Sequence, residues 1–342
     1  MTGRELLLYN SLRNLHLLER APKAEILRDL MGLQAQFSRN PQISLRLRAS
    51  DYSEDTWDDG LVKVWSHRGT IHVLPEEELG LHLSAKGQPL PFRENYWRLS
   101  VAEQEMWAPF LVRQISEGND TRDGLKAACT AAGMSEDLLG RVFYGWGGLI
   151  QEMAWRGMLV CCTGTDKRYR IPKAVQFVDP TEAKRTLIRR YFTVYGPATV
   201  QDCTAFFGEK AAVLRPLLAE ILPEMRCTEI DGVKYYHGRD LITDGAIPTC
   251  VLSPGFAQLV LGYRDRSRMI DKQHARKLTN AAGIVFPAIL LRGRIRARWK
   301  LEKETVVITP FEKLLKKDEA AIRRTVKQRL AVRKISYQPV EE

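Results

Sequence analysis

The sequence predicts a mainly α-helical fold with β structure (α+β), built as three tandem winged-helix motifs plus a C-terminal β-rich, barrel-like basic unit. Three observations lead there. A plan of helix, turn, helix, turn, longer helix and two short strands recurs at a spacing of roughly 80–95 residues. The segments beyond residue 247 are rich in Val, Ile, Leu and aromatic residues. The chain has 342 residues, and single cores stop growing at about 250–300. The expected boundaries are 1–95, 96–178 and 179–244 for the three winged helices and 245–342 for the basic unit.

The first copy reads as helices over Glu5–Glu19 and Lys23–Leu33, then a strand pair around Leu61–Leu74. In the second, Val101–Ser116 is helical, Glu117-Gly118-Asn119-Asp120 breaks it, and Thr121 caps a helix over Thr121–Ala132. A long helix over Ser135–Gly157 follows, with Gly145-Trp146-Gly147-Gly148 inside it allowing close helix packing. Leu159–Ile171 then reads as a hairpin turning near Thr163-Gly164-Thr165-Asp166. The third copy is the clearest. Thr181–Val194 sets Leu187, Ile188, Tyr191 and Phe192 on one side, and Tyr195-Gly196-Pro197 stops it. Thr199 caps Val200–Phe207, Gly208 ends it, and Glu209–Ile221 repeats leucines at helical spacing. Arg226–Tyr236 alternates around Asp231-Gly232, a two-residue hairpin signal. Beyond it, Ile247–Leu261, Ile284–Trp299 and Glu304–Ile308 read as strands with a turn at Gly293, and Lys316–Val332 as a closing basic helix.

Composition narrows the function classes. With 44% hydrophobic and 27% charged residues, the chain is an ordinary globular protein. No apolar run approaches the length of a membrane span, which needs about 20 residues. Charges at Arg4 and Glu5 interrupt the N-terminus, so no signal peptide is expected and the cytoplasm is the expected compartment. Cys129, Cys161, Cys162, Cys203, Cys227 and Cys250 form no C-x-x-C pair and have no spaced histidines beside them. Reduced structural thiols and no metal site are therefore expected. No organic cofactor signature is present, and a monomer is expected because the repeats already supply a multi-module surface.

The formal charge of +11 is uneven. Residues 261–342 hold 21 Lys and Arg against 9 Asp and Glu, which accounts for the whole surplus. Within them, Arg264, Arg266 and Arg268 alternate, as do Arg292, Arg294, Arg296 and Arg298. On a strand the i, i+2 spacing puts each set on one face, a plausible match to a phosphate backbone. A solvated basic face is the competing reading. Winged helices most often bind nucleic acid, yet three copies without a heptad run do not resemble a one-headed dimeric repressor.

Candidate chemistry is sparse. His67-Arg68-Gly69-Thr70-Ile71-His72 would, on a strand, place Arg68, Thr70 and His72 on one face. That suits a strand lining a cleft, and equally an edge strand with ordinary polar residues. There is no nucleophile elbow, phosphate-binding glycine loop or His-Glu-x-x-His. Gln34-Ala35-Gln36 follows an apolar helix, and in extended form its two amides point the same way.

Five segments in order resemble the AlkZ/YcaQ superfamily of winged-helix DNA glycosylases. They are Leu33-Gln34-Ala35-Gln36, Arg68-Gly69-Thr70-Ile71-His72, Tyr195-Gly196-Pro197-Ala198-Thr199, Leu261 to Ser267, and Phe286 to Trp299. Each is weak singly; together they span about 270 residues. The resemblance implies monofunctional excision of alkylated bases from double-stranded DNA and, in some members, unhooking of interstrand crosslinks. It implies Gln34 and Gln36 as catalytic, on the AlkZ-like side where the second position is Gln and not Asp. Arg68, Thr70 and His72 would line the cleft, and the two arginine sets would contact DNA. One departure is Phe256-Ala257-Gln258, where the family shows Phe-Asp. The rival readings are a non-catalytic winged-helix DNA-binding regulator and an accessory protein that sequesters a genotoxin.

Overall fold

A computed structural model describes residues 1–340 apart from Trp146 and Thr165. The chain is mixed α and β. It opens with α1 (Gly3–Asn14) and α2 (Lys23–Asp29), then β1 (Leu33–Gln34), α3 (Arg39–Arg48), β2 (Leu61–Trp65), β3 (Ile71–Pro75) and α4 (Leu79–Ser84). Next come α5 (Val101–Ser116), α6 (Arg122–Ala131), α7 (Glu136–Val142), α8 (Gly148–Trp155), β4 (Val160–Cys161) and β5 (Tyr169–Arg170). After α9 (Pro180–Val194), α10 (Val200–Phe207) and α11 (Ala211–Ile221) comes the hairpin β6 (Arg226–Ile230) and β7 (Val233–His237). The chain closes with β8 (Cys250–Ser253), α12 (Gln258–Leu261), α13 (Ala275–Leu278), β9 (Ala288–Leu291), β10 (Arg294–Glu302), β11 (Thr305–Pro310), α14 (Lys316–Leu330) and β12 (Lys334–Tyr337). No helix among the described residues is long and apolar enough to cross a membrane.

Two compact units divide the chain. One comprises residues 1–33, 39–57 and 188–342; the other comprises 34–38 and 58–187. In the first unit, β8 to β12 form a five-stranded sheet in the order β12-β11-β10-β9-β8, antiparallel except for the β11–β12 pair. Ile289, Trp299, Ile308, Ile322 and Val326 make its core against α14. The helices and hairpin expected between residues 181 and 236 form as the sequence predicts. The Thr199 hydroxyl accepts from the Asp202 amide, Gly208 stops α10 at φ +66°, and Asp231-Gly232 turns the hairpin with both φ positive.

The second unit carries the sheet β1-β3-β2-β4-β5. Its core joins Val62, Val64 and Leu74 of the strands to Trp107, Leu111, Leu125 and Leu149 of the helices. Thr121 and Ser135 cap α6 and α7 as N-cap residues. The single helix expected over Ser135–Gly157 is two helices instead. Gly148 adopts φ +66°, and a Cβ there would stand 2.4 Å from the carbonyl oxygens of Arg141 and Val142. Gly147 does serve close packing, with Trp97 where its Cβ would be; Trp146 of that segment, and Thr165 of the β4–β5 turn, lie outside the described residues.

Other expectations are corrected. Arg264, Arg266 and Arg268 do not share a strand face, because the segment after α12 is irregular coil and turn. Helix α3 and strand β12 occur where no element was expected.

Candidate active site

The site is built in the second unit, where β1 runs on into Gln34-Ala35-Gln36. The Ala35 amide donates to the Ile71 carbonyl at 2.8 Å, holding the segment extended against β3. In extended backbone, residues two apart face the same way. The side chains of Gln34 and Gln36 meet accordingly, Gln34 Nε2 donating to Gln36 Oε1 at 3.2 Å. Gln34 is buried and Gln36 exposed.

Between β2 and β3 the chain turns through His67–Gly69, with Arg68 at φ +55° and Gly69 at φ +68°. The Ser66 amide donates to the Thr70 carbonyl at 3.0 Å and closes the turn. Arg68 Nη2 then reaches Gln34 Oε1 at 3.2 Å. A guanidinium only donates, so Gln34 must offer its carbonyl to Arg68 and its NH2 to Gln36. The chain Arg68 to Gln34 to Gln36 therefore has one polarity, and it ends on an exposed amide.

Gln36 and Thr70 line a cavity of about 490 Å³, with Trp65, Ile71 and Tyr169 among its walls and Lys63, Arg122, Lys167 and Arg168 also on it. Sequence reasoning singled out none of these basic residues, because they come from one strand, a helix start and a loop. The Cys161 thiol on the wall is pushed up to about 12 by burial, so it stays protonated near neutrality.

His72 does not line this cavity. The turn occupies His67–Gly69 and β3 starts at Ile71, so Ile71 faces the cavity and His72 points into the protein, 3% exposed. Its Nδ1 donates to the Thr70 carbonyl at 3.0 Å. Its ring lies 5.6 Å from that of His67, which lies 5.1 Å from that of His82. Burial lowers the His72 pKa to about 3, with the Arg68 charge adding to the effect, and burial holds His67 well below its usual value. Both rings are neutral near pH 7.

The arginines expected to hold phosphates lie in the first unit. Arg294, Arg296 and Arg298 share one face of β10, opposite the buried Ile295, Ala297 and Trp299, but Arg292, expected on the same face, lies in the turn before β10 at φ +45°. Carboxylates neutralise much of this strip. Arg294 pairs with Asp271, Arg296 with Asp271 at 3.1 Å and Glu312 at 3.3 Å, and Arg292 with Asp318 at 2.6 Å. Arg298 lies over the Phe286 ring. Arg264 is exposed and Arg266 half-buried. Arg268 is only 4% exposed, donating to Ser11 Oγ and the Pro197 carbonyl, ion-paired with Asp202 at 3.7 Å, with its guanidinium over Tyr263. Its charge is a structural one, out of reach of a phosphate in this conformation.

Two further features of the first unit bear on the expectations. Ala257 is buried at the start of α12, and the Gln258 amide beside it bonds to Arg48 and to the Gly32 carbonyl. The ligand atoms of His16, Glu25 and Asp29 lie within 4.8 Å of one another, with His16 Nε2 at 3.0 Å and Arg239 Nη2 at 2.8 Å from Asp29 Oδ2.

With this geometry in place, comparison with known proteins is specific. A family model described as DNA glycosylase AlkZ-like matches residues 27–331. An interstrand DNA cross-link repair glycosylase of Streptomyces sahachiroi is 25% identical over 315 residues, covering 84% of each protein. The solved structure of Streptomyces sahachiroi DNA glycosylase AlkZ shares the fold, with a TM-score of 0.77 at 22% identity over 99% of this chain and 100% of that one.

Proposed function

The chain belongs to the AlkZ-like family of DNA glycosylases, and from that premise we propose that it hydrolyses the N-glycosidic bond of cationic N7- or N3-alkylated purines in duplex DNA. Interstrand crosslinks joined through such bonds are included in the proposal, after the name of the Streptomyces sahachiroi relative. The observation that carries the reading is the polarised Arg68–Gln34–Gln36 chain ending at the cavity.

The chemistry suits neutral amides. Glycoside cleavage passes through an oxocarbenium-like state in which the sugar becomes positive. An alkylated purine already carries the positive charge and departs neutral, so no general acid is required. What remains is to hold a water at the anomeric carbon and to oppose the charge growing on the sugar. Gln36 accepts one bond from Gln34 and retains a second carbonyl lone pair and its own NH2 for that work. Fixed dipoles of this kind are worth about 2–4 kcal/mol each, by the measured loss of single oxyanion-hole donors. That is sufficient for an activated leaving group and insufficient for an undamaged base. Selectivity for damage follows from weak catalysis.

The proposal extends to organisation and partners. It reads three winged helices over 1–95, 96–178 and 179–244 and a barrel-like basic unit over 245–342, supported by the helix–turn–helix and hairpin of α9 to β7. Thr70 lines the cleft, and Arg264, Arg266, Arg292, Arg294, Arg296 and Arg298 contact the DNA backbone. The protein acts in the cytoplasm as a monomer, without metal or organic cofactor.

The test is a single-turnover assay on a duplex with one N7-methylguanine, developed with hot alkali, and the same duplex with an interstrand crosslink. Wild type should generate alkali-labile sites. Gln36→Ala should lose about 10²–10³-fold in rate while binding duplex normally, and Gln34→Ala should lose a similar factor. Equal rates in wild type and mutants would remove the two glutamines from catalysis. Tight binding without cleavage of either substrate would leave a DNA-binding protein.

A further inference from the structure

The cavity at Gln36 continues beyond the amide chain. It shares Arg122, Asp166, Lys167 and Arg168 with a second cavity of about 480 Å³ that runs along the start of α6 to Lys126. The unit as a whole is close to charge balance, with sixteen Lys and Arg against seventeen Asp and Glu. Along these two walls the balance is different: five basic residues, Lys63 included, face two carboxylates, Asp123 and Asp166. Local concentration of one sign in a concave, low-dielectric setting focuses the field outward from the cleft.

The five cations are not equivalent. Arg122 donates to Tyr169 Oη at 3.1 Å and to the Phe143 carbonyl, so its guanidinium is fixed in the wall. Arg168 is paired with Asp120 at 2.6 Å, and Lys63 Nζ donates to the Gly164 carbonyl at 3.4 Å. Lys126 and Lys167 take part in no salt bridge among the described residues. Their ammonium groups, compact and with three donors each, have no hydrogen-bond partner among the described residues, whereas Arg122 and Lys63 are held by neutral acceptors and Arg168 by a carboxylate.

We propose that this wall binds DNA phosphodiesters, with Lys126 and Lys167 holding phosphates of the lesion-bearing strand next to the nucleotide whose sugar sits at Gln36. The inference rests on the reading of Gln36 given above. Cavity continuity supplies the adjacency: a strand whose sugar occupies the first cavity has its neighbouring phosphate at the wall the two cavities share. Chemistry supplies the ligand class. Two separate ammonium groups without a glycine-rich backbone cradle suit singly charged diesters along a strand better than a bound mononucleotide, whose polyphosphate calls for such a cradle. The site is distinct from the arginines of β10, which lie in the other unit and have carboxylate partners.

The experiment uses the full chain. Duplex binding is followed by fluorescence anisotropy on undamaged DNA across a salt series, for wild type, Lys126→Gln/Lys167→Gln and Lys126→Arg/Lys167→Arg. Each lost phosphate contact lowers the slope of log K against log salt by about 0.9. The glutamine pair should therefore flatten the slope by about 1.8, and the arginine pair should restore it. An unchanged slope in a folded glutamine variant overturns the proposal. In a second arm, the duplex carries a stable abasic analogue, and one phosphate at a time around it is replaced by a neutral methylphosphonate. Wild type should lose affinity at the flanking position, and the glutamine variant should lose none there. A loss of equal size in both proteins overturns the assignment. Both arms read binding alone, so a chain that passes them yet excises no lesion counts against the glycosylase reading and leaves the phosphate site standing.

Discussion

Arg68 brings a full positive charge to the buried amide of Gln34, in a reaction that builds positive charge on a sugar. Its neighbours determine how far that charge is reinforced. His67 and His72 are neutral near pH 7 because burial opposes their protonation, so Arg68 is the cation bonded to Gln34 and, through it, linked to Gln36. The same burial makes stability depend on pH. Unfolded, His72 takes up a proton as pH falls through about 6.5, while in the folded protein it does so only near pH about 3. The folded state is unaffected above 6.5 and loses ground steadily below it, at about 1.4 kcal/mol per pH unit. Between pH 6.5 and 5, His72 alone should cost about 2 kcal/mol. Urea unfolding of wild type and His72→Asn at pH 7 and pH 5 checks this. The asparagine retains a donor for the Thr70 carbonyl and cannot titrate, so its stability should fall less on acidification by about that amount. Parallel losses in both proteins would mean that His72 takes up its proton in the fold at the same pH as in the unfolded chain.

Local elements separate into those whose sequence signals agree with their packing and those whose signals mislead. Gly148 shows the difference between two glycines of the same stretch. Ala at Gly148 needs a left-handed backbone and places a methyl against two carbonyl oxygens that cannot yield. Destabilisation of about 2 kcal/mol or more is expected. Gly140 sits inside α7 with open space where its Cβ would go. Gly140→Ala should stabilise by about 0.5–1 kcal/mol. Thermal unfolding of the two variants should move in opposite directions; a common direction would mean that the α7–α8 break is not built on Gly148. The contrast also explains what the sequence could reveal. Caps, glycine stops and the Asp231-Gly232 turn act through adjacent residues, and α9 to β7 were legible for that reason. Helix α3 was not legible because its buried stripe, Pro41, Ser44, Leu45 and Arg48, contains polar residues, while Ile43, Leu45 and Leu47 mimic a strand. Arg48 is fully buried yet bonded only to neutral acceptors, Ser44, Leu15 and Gln258, an arrangement no hydrophobic pattern announces. In the candidate site, the spacing of Gln34 and Gln36 gave their common direction. The turn at Arg68 hid the true orientation of His72, and Lys126 and Lys167 lie 41 positions apart in sequence and meet only through the fold.

For the whole molecule, net charge overstates what is available to DNA. The last quarter supplies the formal surplus, yet Asp271 alone engages both Arg294 and Arg296, and Arg268 is buried. An arginine that contacts a phosphate must release its carboxylate, and the counterion release that drives binding is then offset by exposing an acid. The number of basic residues therefore does not equal the number of phosphates neutralised. Asp271→Asn tests this directly because it removes the competitor and leaves both arginines in place. Under the proposed contacts, the variant should bind duplex more tightly, and its slope of log K against log salt should steepen by up to about one. Arg294→Gln/Arg296→Gln should flatten the slope by less than the value of about 1.8 for two uncompensated contacts. If Asp271→Asn leaves both affinity and slope where they were, the β10 strip faces solvent in the complex, and the phosphate contacts belong to other basic surfaces.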